Sequence, residues 1–165
     1  MSQKTIIAVA TAAALAWFPV FAQVGVGSES RDAAAAFMGT TNFMIGRISN
    51  ACLSVVGRSE SPQDYVALWQ QRNAKYWLAS RKYMVSRLDE ALASGGAAKR
   101  DAVLAQYSAA VRRDGEASAQ SWITRGTREE ACKRAISLFD TGGLDVTPNV
   151  PIHSELEALA RWAAQ

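Results

Sequence analysis

The chain is poor in the residues that most chemistry needs. It has one histidine, two cysteines and four prolines in 165 residues. A serine triad, a zinc hydrolase or a general-base histidine requires partners arranged around the imidazole. His153 has only Glu155 and Glu157 close by in sequence, so it reads as an ordinary residue near a helix start. Cys-x-x-Cys and Cys-x-x-Cys-His do not occur, which removes the usual thiol-redox and covalent-haem signatures. Met38, Met44 and Met84 belong to the residue type that ligates haem beside a histidine. They fall within or beside apolar helical faces, where a flexible thioether packs well, and they read as core. Gly95-Gly96 lacks the Gly-Lys-[Ser/Thr] of a phosphate loop. The expectation is that no cofactor or metal is bound.

Carboxylates are present but not in a telling arrangement. Asp89/Glu90 and Glu129/Glu130 are adjacent pairs, and neighbours on a helix point in different directions. Glu129 and Glu130 also suit a helix first turn, where the dipole favours negative charge. The stretch from Asp140 to Asp145 lacks the alternating acids and closing glutamate of a calcium loop and reads as a glycine turn. Nothing here points to an enzyme.

Long apolar runs are scarce too. The one that exists is Ile6 to Leu15, preceded by Lys4 and followed by Pro19 and Val20-Phe21-Ala22. That order is a charged n-region, a short h-region and a small-residue cleavage site. A spanning helix needs about 20 apolar residues, and this run is shorter. Residues 1–22 are expected to be a signal peptide cut before Gln23, leaving 23–165 as a single helical domain with no integral membrane segment. The expected compartment is periplasmic or extracellular. Lys4 leaves with the leader, so 17 basic residues face 15 acidic ones and the charge falls from +3 to +2. Such a balance, after export, argues against a nucleic-acid partner.

Export changes the reading of Cys52 and Cys132. In an oxidising compartment an isolated pair is expected to form a disulfide. Closing a loop of this length contributes about 4 kcal/mol in the chain-entropy model.

What remains is helical pattern. Apolar residues recur at three- and four-residue steps over roughly 31–56, 61–93, 98–123, 127–139 and 152–163. Ser61-Pro62-Gln63-Asp64 and Thr127-Arg128-Glu129-Glu130 are capping boxes. Gly39-Thr40-Thr41-Asn42 is poor helix sequence and predicts a kink. Gly57 and Gly95-Gly96 suit helix ends, and the short link after Gly96 predicts a helical hairpin. The fold class is all-α, an antiparallel bundle of four to five helices tied by one disulfide.

One stretch is unusual for its side chains. Trp69, Arg72, Asn73 and Tyr76 sit close together on the second predicted helix, and tryptophan, tyrosine and arginine are the types enriched at binding hot spots. Arg47 on the first helix is a candidate neighbour. These residues are the candidate ligand or partner surface, and they equally suit a packed helix with Asn73 bonded internally. The expected role is a non-enzymatic protein-binding or envelope-associated module whose partner is another envelope or secreted protein. The alternative is a protein that binds or acts on a small anionic or cell-wall-derived molecule through Arg72, Asn73 and Tyr76.

Overall fold

A computed structural model describes residues 26–165, and the leader expected over 1–22 lies outside the described residues. Five helices follow in order: α1 Val26–Cys52, α2 Pro62–Arg72, α3 Ala74–Ile123, α4 Arg128–Asp140 and α5 His153–Ala163. Among the described residues there is no strand, and no helix is long and apolar enough to cross a membrane.

α1 is the hub. It packs against all four other helices and supplies Ala34, Ala35, Met38, Ile45, Ile48 and Cys52 to the core. These positions recur at three- and four-residue steps, as a buried helical stripe requires. The kink expected at Gly39–Asn42 is absent, because α1 runs through it unbroken. Tertiary packing accounts for the difference. A Cβ at Gly115 would come within 2.7 Å of Phe43 and 3.1 Å of the Thr40 carbonyl, and one at Gly39 would collide with the Tyr107 hydroxyl. The small residues let α1 and α3 approach closely, and that contact outweighs a weak local propensity. The regular helix of α1 ends at Cys52, and one further turn closes at Gly57, where the pattern placed the end. Arg58 N–H donates to Leu53 O at 2.9 Å, with Gly57 in the left-handed region at φ 73°, the Schellman way of closing a helix.

The long second helix of the sequence pattern is divided at Asn73 (φ −106°, ψ 25°) into α2 and the start of α3. Its beginning is as expected: the Ser61 hydroxyl accepts from Asp64 N–H while the Asp64 carboxylate accepts from Ser61 N–H. α3 in turn consists of two arms, because Gly95 and Gly96 leave helical geometry and Gly96 takes φ 69°. Contacts with α1 fix their directions. The first arm meets Asp32 through Tyr83 and Arg87. The second meets Ala35 through Tyr107 and Arg47 through Glu116. The second arm therefore runs with α1 and the first, which leads on from α2 and Gln70–Asn42, runs against it. This is the expected helical hairpin.

Thr127 and Glu130 form the second capping box and open α4. Ala131, Cys132, Ala135, Ile136 and Phe139 make its buried face. Cys132 is bonded to Cys52 with Cα atoms 5.0 Å apart, across 80 residues of sequence. The bond joins the end of α1 to the first turns of α4, and both cysteines are fully buried. Leu156 and Leu159 of α5, also fully buried, close the core beside the first arm of α3. Truncating either to alanine would cost about 2–5 kcal/mol.

Candidate functional site

A cleft of about 460 Å³ lies between α1, the end of α3 and the loop joining α4 to α5. Phe37, Met44, Trp122, Leu144 and Val150 give it apolar surface. Thr40, Thr41, Ser118, Asp145, Thr147 and Asn149 supply hydroxyl, carboxylate and amide groups. Its size lies in the range of small-molecule sites, about 300–1,000 Å³.

One wall of this cleft is irregular chain, residues 143–150, and such a wall needs polar ties to hold a shape. Asn73 provides them. It is buried at the α2–α3 break. Its Oδ1 accepts from Val146 N–H at 2.7 Å, and its Nδ2 donates to Trp69 O at 2.8 Å and Asp145 Oδ1 at 3.1 Å. The side chain thus serves both a helix end and the loop. Trp69, fully buried, donates from Nε1 to Leu144 O at 2.9 Å. Arg72 pairs with Asp145 at 3.1 Å, donates to Phe139 O at 2.9 Å and lies over the Phe139 ring at 4.4 Å. Tyr65 also stacks on Phe139, at 4.4 Å between centroids.

Three of the five candidate residues therefore stand behind the cleft rather than in it: Trp69, Arg72 and Asn73 anchor the wall, and none of them lines it. Tyr76 points elsewhere. Its hydroxyl donates to Glu157 at 2.5 Å and lies 3.4 Å from His153 Nε2. Burial and then the Glu157 carboxylate raise the Tyr76 phenol above its ordinary range, while Lys75 and then Tyr76 hold Glu157 below the usual carboxylate range. Arg47 makes a two-bond pair with Glu116, at 2.7 and 3.1 Å, on the outer surface. Arg72 and Asn73 meet at Asp145, whereas Tyr76 turns away to Glu157, so the three do not enclose one space.

Sequence reasoning did not mark the lining residues as a site: Met44 reads there as core, Thr40 and Thr41 as part of a poor helix stretch, and Asp145 as the end of a glycine turn. The available signal was the density of Gly, Pro, Asn and Thr over 141–151 in a chain otherwise helical. Loops of that length in compact domains are commonly functional.

Two other groups complete the electrostatic picture of this side of the molecule. Burial, and then the nearby Asp140 carboxylate, pushes the Tyr65 phenol up to about 12. Arg58 bridges Glu60 and Asp140, and Glu60 is held down at about 2 by that guanidinium. Among the described residues no group of three or more His, Cys, Asp or Glu side chains is placed to hold a metal ion. No protein-family model matches the chain, and no curated protein or solved structure is significantly similar to it.

Proposed function

We propose that this protein is a non-enzymatic binding module of an exported compartment, periplasmic or extracellular. Its cleft receives a segment of another envelope or secreted protein. The observation that carries the reading is the make-up of the cleft. Aromatic and aliphatic side chains (Phe37, Met44, Trp122) sit beside hydroxyl and amide groups (Thr40, Thr41, Asn149) in one half-open space. Apolar surface gives affinity and a few placed polar groups give orientation. The one carboxylate there, Asp145, is already held by Arg72 and Asn73, which suits a structural role better than proton transfer. A recognition element made of hydroxyls and amides beside aromatics matches an uncharged polar peptide stretch with one or two apolar side chains.

The long disulfide loop supports the compartment, since such bonds persist where thiols are oxidised. The test is binding of the purified, fluorescently labelled disulfide-bonded protein to a peptide array, alongside Thr41→Arg, which fills the cleft. Uncharged peptides that bind the wild type and not the variant are the expected result. Equal binding by both, or none by either, would remove the cleft from the function.

A further inference from the structure

The outer face of the first α3 arm carries a feature the cleft does not use. Leu78, Val85 and Leu92 are 60%, 59% and 42% exposed, although large apolar side chains on a monomer's surface are usually scattered. They recur every seven residues, so on a helix of 3.6 residues per turn they form one stripe. α5 flanks it on one side, through Lys82 to Ala163 O and Tyr83 to Trp162. The second arm lies on the other, where Met84 and Arg87 share a cavity with Tyr107.

The stripe also reads the same in both directions in a physical sense. Taking Val85 as centre, Leu78 and Leu92 lie seven residues away on either side, and Arg81 and Asp89 lie four residues away. Four residues from the centre is still the same helix face. Arg81 and Asp89 are both exposed. Their neighbours are spoken for: Lys82 caps Ala163 O, and Arg87 pairs with Glu90. Among the described residues Arg81 and Asp89 have no such partner. A second copy laid antiparallel supplies one for each. Leu78 then meets Leu92 of the other copy, Val85 meets Val85, and Arg81 meets Asp89 twice over.

We propose that two copies of this chain associate through the outer face of the first α3 arm, antiparallel, with Val85 opposite Val85 on the twofold axis. An isologous contact of this kind closes on itself and stops at two. Its apolar part spans four turns, about 21 Å of helix at 1.5 Å per residue. That is short beside permanent interfaces, so the dimer dissociates on dilution. None of the residues lining the cleft lies on this arm, so the proposal stands independently of the cleft's role.

Sedimentation of the purified disulfide-bonded protein across micromolar to millimolar concentration tests it. The expected result is a concentration-dependent monomer–dimer equilibrium. Val85→Arg sets like charges against each other on the axis and gives a monomer throughout. Arg81→Asp and Asp89→Arg each weaken the dimer about tenfold or more, since each places two like-charge pairs in the seam. The double exchange Arg81→Asp with Asp89→Arg restores it, because opposite charges face again. Val85→Cys yields a disulfide-linked dimer under mild oxidation. A wild-type monomer at every concentration overturns the proposal. So does a dimer that Val85→Arg leaves intact, or a double exchange no better than either single one. All substituted positions are exposed, and unchanged far-ultraviolet circular dichroism confirms that the fold is retained.

Discussion

The two ends of the molecule are built on different terms. At one end α4, the loop after it and the α2–α3 break are fastened to the rest by long-range ties. These are the Cys52–Cys132 bond, Trp69 to Leu144, Asn73 to Val146 and Asp145, and Arg58 to Asp140. At the other end the α3 hairpin turns at Gly95-Gly96, and every residue from Leu92 to Lys99 is exposed. Its side-chain bonds are local, such as Ser94 to Glu90 O and Lys99 to Ser94. The contrast teaches where irregular backbone can hold a shape. A cleft wall of loop residues is possible at the fastened end because buried donors and acceptors define it. The hairpin tip has only its helical arms to rely on.

Breaking the fastening covalently has the largest effect. Cys52→Ala with Cys132→Ala, or reduction, is expected to lower stability by about 4 kcal/mol, measured by denaturant unfolding with and without reductant. A loss below about 1 kcal/mol would mean that α4 is held by packing alone. Next comes the polar knot. Asn73→Leu leaves the part-buried Val146 N–H without its acceptor and Asp145 with Arg72 alone, at about 1–3 kcal/mol. Asn73→Asp is nearly isosteric but sets a carboxylate against Asp145 and Trp69 O, so it should be no better tolerated at neutral pH. If either variant keeps wild-type stability, the loop does not depend on Asn73.

Alkaline unfolding compares the ends without breaking covalent bonds. Tyr65 at the fastened end and Tyr83 on the hairpin's first arm are both held at about 12, chiefly by burial. The unfolded phenol ionises near its ordinary value of 10. The folded state favours the protonated form, so its stability is intact below about pH 10 and declines as pH rises toward 12. Tyrosinate absorbance should appear together with loss of helix, and Tyr65→Phe or Tyr83→Phe should flatten the decline. Ionisation near pH 10 with the fold intact would contradict the burial of both rings.

The smallest effects belong to the tip. Gly96→Ala is expected to cost about 1–2 kcal/mol, because φ 69° with ψ −169° is backbone that essentially only glycine adopts. Substitutions at Ala97 or Ala98 should stay within about 0.5 kcal/mol. Thermal unfolding of these variants beside Asn73→Leu sets the scale of the difference between the ends.

Much of the fold was legible because its signals are local. The capping boxes at Ser61 and Thr127 and the turn at Gly95-Gly96 each act over a few residues, and the cysteine pair was legible through the compartment the sequence led us to expect. The misreadings share one cause. α1 passes through Gly39–Asn42 because Tyr107 and Gly115 of α3 pack there, and the helix after Ser61 divides at Asn73 because Asp145 and Val146 claim that side chain. Both effects come from residues about 70 positions away, which periodicity does not register. The site divides along the same line. Trp69, Arg72 and Asn73 drew notice for their chemistry, but what they position is a loop, and the loop's own residues gave a compositional hint only. Arg47 and Tyr76 shared the same chemistry and were placed on separate ion-pair and hydrogen-bond contacts.

The account rests on the claim that residues 143–150 form a fixed wall, held by Asn73. Hydrogen exchange of the Val146 amide tests it most directly. The expected result is exchange as slow as that of the buried helices, becoming fast in Asn73→Ala while α1 stays protected. A Val146 amide that exchanges in the intact protein as quickly as those at the hairpin tip would contradict it.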